Sequence, residues 1–267
     1  MNHEETHNPQ EPIPEYIEPE WVDTPTSTKI WNALQYAQTM PTIALIHGPG
    51  GLGKTHTSRR YLAERARKFD GYQPYGKGGR PTVYMVTAHP GMSTVASVLS
   101  AISEEIGRLG DAYRNDVMAR QILAALTPGD LLIMDEAQHL DIKALDQIRH
   151  FHDVGQIGIA YLGNDDIYTR INGRGRQAAF LGPLKSRVGK RLAIPHPSED
   201  DISSILSAWN VKGKKEVDYA NQIGLSSIGL RGLTQVLRQA AFVAKSMNHV
   251  LDTRVMRVAV TNLGFAN

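Results

Sequence analysis

Gly48-Pro49-Gly50-Gly51-Leu52-Gly53-Lys54-Thr55 is the stretch that decides the fold, because it fits the pattern G-x-x-x-x-G-K-[S/T] of a phosphate-binding loop. An apolar segment over residues 43–46 precedes it and predicts a strand, and residues 55–68 predict a helix behind it. Glycines let backbone N–H groups turn toward phosphates, and a helix start adds partial positive charge. The strand–loop–helix order therefore favours a nucleotide site over an ordinary glycine-rich turn.

The loop residues have distinct predicted roles. Lys54 can reach the β- and γ-phosphates of ATP, and the Thr55 hydroxyl can bind Mg²⁺. We predict that the nucleotide contacts the whole loop and His56, the residue directly after it. The predicted cofactors are therefore ATP and Mg²⁺.

A second apolar segment, over residues 131–134, is followed by the acidic residues Asp135 and Glu136. Such a segment is typical of a buried parallel strand that delivers acids at its carboxyl end. Asp135 is predicted to bind the nucleotide-associated Mg²⁺, and Glu136 to act as general base on the attacking water. The alternative is a core strand that merely ends in acids at a loop.

A third buried strand is predicted over residues 158–163, and Asn164 stands at its end. A polar side chain at this position can orient the attacking water against the γ-phosphate. The alternative is an asparagine in a turn, and position alone does not separate the two.

Charge is distributed unevenly along the 267 residues, although the net charge is only +2. Residues 1–28 contain seven acidic residues and no lysine or arginine, whereas residues 29–267 contain 29 basic and 20 acidic residues, a net of +9. A basic body indicates a polyanionic partner such as nucleic acid, with a solvated basic surface as the alternative. Residues 167–198 contain seven basic residues and no acid, which predicts contact with phosphates.

Composition excludes several classes of protein. The chain has no cysteine, so a disulfide framework and a cysteine metal site are excluded. It contains no apolar run near the roughly 20 residues of a membrane span, and its acidic N-terminus does not resemble a signal peptide. We therefore expect no membrane partner and a cytoplasmic location, in a bacterium or a phage-infected host cell.

The remaining patterns predict an α/β fold with a parallel five-stranded sheet flanked by helices, followed by a small all-helical lid. The predicted division is an acidic disordered tail over 1–20, a P-loop α/β domain over 21–197 and a helical lid over 198–267. Further strands are expected over 82–86 and 192–194. Helices are expected over 28–38, 91–109, 114–126, 142–151, 199–209, 215–223, 230–247 and 251–263.

The order of these motifs resembles that of AAA+ ATPases. The phosphate loop corresponds to Walker A, Asp135-Glu136 to Walker B and Asn164 to sensor 1. Ser186-Arg187 stands at the place of the arginine finger, and Gly229-Leu230-Arg231 at that of sensor 2. Within this class, residues 21–263 resemble the target-selection ATPases of DNA transposition, the group of phage MuB, TnsC and TniB.

This resemblance implies roles for two arginines and an assembly. Arg231, on the lid, would approach the nucleotide of its own subunit, and Arg187 would reach the nucleotide of a neighbouring subunit. Arg174 and Arg176 compete with Arg187 for that role. An arginine that acts across subunits requires head-to-tail interfaces, which close into rings or extend as helical filaments. The resemblance implies ATP-dependent assembly on target DNA, recruitment or activation of a transposase, and disassembly upon hydrolysis.

Contacts to double-stranded DNA are expected at backbone phosphates, hence largely independent of sequence and sensitive to salt. Two other functions stay open at this point: a replication-initiator or helicase-loader ATPase, and a nucleotide-gated protein scaffold that does not bind DNA. The candidate DNA-contacting residues are Lys77, Arg80, Arg108, Arg114, Arg174 and Arg176.

Overall fold

The chain folds into two compact units in a computed structural model that describes residues 18–67, 82–107, 114–172 and 180–265. Pro25–His196 form an α/β unit. Pro197–Asn267 form a helical unit together with the segment that ends at Thr24. Each unit has its own hydrophobic core.

A parallel sheet of five strands forms the centre of the α/β unit, in the order β2-β3-β4-β1-β5. The sequence prediction of a parallel five-stranded sheet is therefore confirmed. β1, β3 and β4 are buried along their whole length, because they lie in the middle of the sheet. The strands are β1 (Ile43–His47), β2 (Val83–Thr87), β3 (Leu131–Asp135), β4 (Gly158–Gly163) and β5 (Val188–Ala193).

Helices on both faces of the sheet connect these strands. Thr94 caps the N-terminus of α3 by accepting the Ser97 N–H at 3.3 Å, and Asp141 caps α5 by accepting the Ala144 N–H at 2.7 Å. A 3₁₀ turn, Ala137–His139, directly follows β3. The helices are α1 (Pro25–Thr39), α2 (Lys54–Arg67), α3 (Val95–Glu105), α4 (Asn115–Ala125), α5 (Ile142–Gly155), α6 (Asp165–Asn172) and α7 (Gly182–Arg187).

The last strand begins four residues earlier than the sequence predicted. β5 runs over Val188–Ala193, whereas the sequence indicated residues 192–194. Among the described strands it pairs with β1 alone and lies at the edge of the sheet, and Lys190 and Arg191 in its middle are exposed. Charged residues on an edge strand oppose pairing with other chains, but they also remove the apolar run that reveals a strand. Helices α6 and α7 were not predicted either.

The helical unit consists of α8 (Glu199–Ala208), α9 (Lys214–Gly224), α10 (Gly229–Met247) and α11 (Thr253–Asn262) in its described part. Ser198 begins α8 with a capping box, in which the side chains of Ser198 and Asp201 each accept the other's backbone N–H. Val22 packs against the core of this unit, which explains why residues up to Thr24 group with it. The sequence prediction counted residues 21–24 with the α/β domain.

The sequence predicts that the chain contains no membrane-spanning segment. Among the residues that the structure describes, no helix has the length and apolar character needed to cross a membrane.

Candidate nucleotide site

The phosphate loop lies between the carboxyl end of β1 and the first residue of α2, at the point where β1 separates β4 from β5. Ligands of open α/β sheets bind in the crevice at such a switch point. Gly48 has a φ of 147°, and a Cβ added to it would lie 2.0 Å from the Ile194 carbonyl oxygen. Gly53 has a φ of 82° just before the helix begins. Only glycine fits the close approach at Gly48, so the loop backbone requires glycine at this position.

Lys54 is buried within this loop. Its Nζ donates hydrogen bonds to the carbonyl oxygens of Gly48 at 2.6 Å and Pro49 at 2.7 Å. These bonds compensate for the burial of the ammonium group and hold it at the loop. His56, two residues further on, is exposed, and its pKa is lowered by burial of part of the ring and by the nearby charges of Arg59 and Arg60. Both effects favour the neutral form of the His56 ring.

Thr55 joins the phosphate loop to the end of β3. Its Oγ1 donates a hydrogen bond to Asp135 Oδ2 at 2.7 Å, and Asp135 Oδ1 accepts the backbone N–H of Glu136 at 3.0 Å. Asp135 is buried, and this burial raises the pKa of its carboxyl above the ordinary range, while the bond from Thr55 acts in the opposite direction. A hydroxyl beside a carboxylate matches the oxygen ligands that Mg²⁺ takes next to phosphates, so the residues fit this ion.

Glu136 has an exposed side chain at the carboxyl end of β3. Its backbone is left-handed, with φ 53° and ψ 37°, a conformation that costs energy in a residue with a side chain. Such strained residues cluster at functional sites. The conformation ends the strand and begins the 3₁₀ turn, because the Glu136 carbonyl accepts the His139 N–H at 3.0 Å.

Asn164 lies at the same edge of the sheet, directly after β4. Its Oδ1 accepts the Asp166 N–H at 2.9 Å and its Nδ2 donates to Asp166 Oδ2 at 3.0 Å. The side chain thus begins α6 as a capping residue, which agrees with the alternative of an asparagine in a turn. Its role toward the attacking water stays a prediction.

Three polar residues that were not predicted from the sequence lie at or near the carboxyl ends of the central strands. His47 Nδ1 lies 2.7 Å from Asp165 Oδ1, and its ring stacks on Tyr168 with centroids 4.5 Å apart. This pair connects the residue before the phosphate loop with the start of α6. Gln138 contacts both Glu136 and Asn164. The available signal was that His47, Gln138 and Asp165 are polar residues within three positions of a buried strand's carboxyl end.

Arg187 is engaged within its own chain. Its Nε donates to Asp153 Oδ1 at 3.0 Å and its Nη1 to Ser186 Oγ at 2.9 Å. Asp153 also pairs with Arg149. The structure therefore shows Arg187 in an ion pair on α5, not in contact with the phosphate loop, and an action across subunits requires that this pair open.

The other predicted residues lie elsewhere or outside the described ranges. Arg231 is exposed in the first turn of α10 in the helical unit. Arg114 is exposed at the start of α4, where its Nε donates to Asp116 Oδ1 at 3.1 Å. Five predicted DNA-contacting or finger residues lie outside the described residues, namely Lys77, Arg80, Arg108, Arg174 and Arg176.

The sheet order, the phosphate loop after β1 and the acids after β3 together define a P-loop ATPase of the AAA+ class. Residues 38–171 match the model of a family described as AAA domain. Residues 186–263 match the model described as Mu B transposition protein, C terminal.

Curated relatives agree with these matches. The chain is 30% identical over 247 residues to the ATP-dependent target DNA activator B of Escherichia phage Mu, covering 92% of this chain and 74% of that protein. It is 31% identical over 225 residues to the Mu-like prophage FluMu DNA transposition protein B of Haemophilus influenzae, covering 83% of this chain and 73% of that protein. The chain belongs to the Mu B transposition protein family.

Solved structures show the same fold at low identity. The ADP form of the ORC2 protein of Aeropyrum pernix has a TM-score of 0.61 at 16% identity, covering 93% of this chain and 71% of that one. The RuvB Holliday junction branch migration motor of Thermotoga maritima has a TM-score of 0.52 at 16% identity, covering 94% and 72%. These similarities support the AAA+ fold alone.

Proposed function

We propose that this protein is an ATP-dependent, largely sequence-nonspecific DNA-binding ATPase that assembles on target DNA and recruits or activates a transposase. Hydrolysis of ATP drives its disassembly. The observation that carries the ATPase part is the 2.7 Å hydrogen bond from Thr55 Oγ1 to Asp135, which joins the phosphate loop to the acids of β3. Membership of the family, together with the relatives' name of ATP-dependent target DNA activator B, supports the transposition part.

Each residue of the nucleotide site has a proposed role in ATP hydrolysis. The loop backbone and Lys54 bind the triphosphate. Thr55 and Asp135 would hold Mg²⁺, which would supply positive charge to offset that of the phosphates. Glu136, whose carboxylate is exposed beside the site, accepts a proton from the attacking water. Asn164 orients that water from the end of β4.

Oligomerisation completes the proposed site. Arg187 of one subunit stabilises the charge that develops on the nucleotide of the next subunit, and Arg231 contacts the nucleotide of its own subunit. The pair between Arg187 and Asp153 holds the arginine until a neighbour binds. Exposed ion pairs contribute little, about 0–1 kcal/mol, so assembly can open this one. Rings and helical filaments are both compatible with such an interface.

DNA binding is proposed to use backbone phosphates. The net charge of +9 over residues 29–267 supports a polyanionic partner. The candidate residues remain those predicted from the sequence, and Arg114 is the one among them that lies in the described part of the chain. Its exposed ion pair with Asp116 is weak enough for a DNA phosphate to replace the carboxylate.

Filter binding with duplex DNA, with and without ATP, tests the proposal. We expect ATP-dependent retention of unrelated DNA sequences that falls steeply as salt is raised. No retention at low salt would contradict DNA binding and favour the protein scaffold. Retention that does not depend on nucleotide would contradict the ATP dependence of the proposal. Assembly on DNA without any effect on transposase binding would favour the initiator or helicase-loader alternative.

A further inference from the structure

Gln138 connects two of the predicted catalytic positions through a single side chain. Its Nε2 donates to Glu136 Oε2 at 2.5 Å, and its Oε1 accepts the backbone N–H of Asn164 at 3.3 Å. One partner is a carboxylate that only accepts, and the other is an N–H that only donates. The amide therefore has one orientation that satisfies both, with nitrogen toward Glu136 and oxygen toward Asn164.

The surrounding backbone makes room for this contact. The left-handed conformation of Glu136 begins the 3₁₀ turn, which brings Gln138 back against β4. On β4, a Cβ added to Gly163 would lie 2.4 Å from Gln138 Oε1. Any side chain at position 163 would thus displace the amide, so the glycine and the strained turn serve the same contact.

We propose that Gln138 is a positioning residue, which orients the Glu136 carboxylate and couples that orientation to the segment carrying Asn164. This inference rests on the proposed function, in which Glu136 activates the attacking water. A carboxylate on an exposed side chain has free rotamers, and a hydrogen bond from a fixed amide restricts them. Because the same amide is bound to Asn164, a shift of that segment upon binding of the γ-phosphate changes the position of the general base.

The variant Gln138→Met tests this role, because methionine has a similar length but cannot form either hydrogen bond. We expect kcat for ATP hydrolysis to fall about ten- to hundredfold, as is typical when a residue that orients a catalytic group is lost. Affinity for a fluorescent ATP analogue should stay within about twofold, since Gln138 does not belong to the phosphate loop. The rate at which the ATP-bound protein leaves duplex DNA, measured by filter binding, should fall together with kcat.

A matched control and a second variant complete the experiment. Gln35→Met alters an exposed glutamine on α1 and should leave both constants unchanged. Gly163→Ala keeps Gln138 but displaces its amide, so it should lower kcat in the same way even if Gln138→Met folds poorly. In a Glu136→Gln background, Gln138→Met should cause no further loss, because the group that it orients is gone.

Several outcomes would overturn the inference. The inference is wrong if the kcat of Gln138→Met stays within about twofold of the parent value. It is also wrong if the affinity for the ATP analogue falls by the same factor as kcat, because such a loss indicates a general structural role. An additional loss in the Glu136→Gln background would show that Gln138 acts elsewhere. If Glu136→Gln itself hydrolyses ATP at the parent rate, the proposed general base fails, and that failure is distinct from the failure of Gln138 alone.

Discussion

At the scale of single residues, the site depends on one buried ammonium group. Lys54 donates to the loop carbonyls of Gly48 and Pro49, so it already lies where the phosphates are expected. We expect Lys54→Ala to weaken ATP binding by at least about a hundredfold, because charge-assisted hydrogen bonds to phosphate are lost. Titration with a fluorescent ATP analogue measures this, and Lys29→Ala, at an exposed position of α1, is the control. Unchanged affinity would refute the site.

A second single-residue prediction distinguishes the binding of ATP from its hydrolysis, and it concerns Glu136. Glu136→Gln keeps the shape of the side chain but removes the base, so we expect ATP binding to persist while turnover falls about a hundredfold or more. The variant should stay bound to duplex DNA in the presence of ATP, since hydrolysis is the step that releases it. Steady-state phosphate release and filter binding measure the two effects. Turnover at the parent rate would show that another residue is the base.

At the scale of elements, the contact between α1 and β4 depends on a glycine in the strand. A Cβ added to Gly158 would lie 2.2 Å from the Ala37 carbonyl oxygen, and this neighbour is backbone that cannot rotate away. We expect Gly158→Ala to lower the free energy of unfolding by about 1–3 kcal/mol through overpacking. Gly182→Ala, at the start of α7 where no atom lies within 4 Å, is the control and should change it by less than about 0.5 kcal/mol. Urea denaturation measures both, and equal values for the two variants would contradict this packing argument.

At the scale of the whole molecule, the proposed interface between subunits predicts complementation. Arg187→Ala should lose most ATPase activity, because its neighbours no longer receive an arginine, although ATP binding should remain. Mixing it with Glu136→Gln should restore part of the activity. At some interfaces an intact Glu136 site then meets an intact Arg187 from the other variant.

The measurement is phosphate release as a function of the mixing ratio. Activity that stays at the sum of the two separate variants at every ratio would contradict a role for Arg187 across subunits. Arg254→Ala, at an exposed position of α11, serves as the control variant and should keep the parent activity.

The central strands could be predicted because their physical cause is local. β1, β3 and β4 are buried on both faces, so each is a continuous apolar run. β5 lacked that signal because its exposed middle carries Lys190 and Arg191. Helix α6 has Ile167 and Ile171 at helical spacing, but eight residues give too short a pattern to stand out inside a basic segment.

The sequence by itself determined the phosphate loop and the acids at the end of β3, because these depend on residue types at short, fixed spacing. The order of its motifs along the chain resembled that of AAA+ ATPases. Only the tertiary structure decided which side chains meet across the carboxyl edge of the sheet. Gln138 and Asn164 are 26 positions apart, and His47 and Asp165 are 118 apart. Such pairs form because parallel strands bring their carboxyl ends together at one edge of the sheet. The separation of two residues along the sequence does not predict whether they are close in the folded structure.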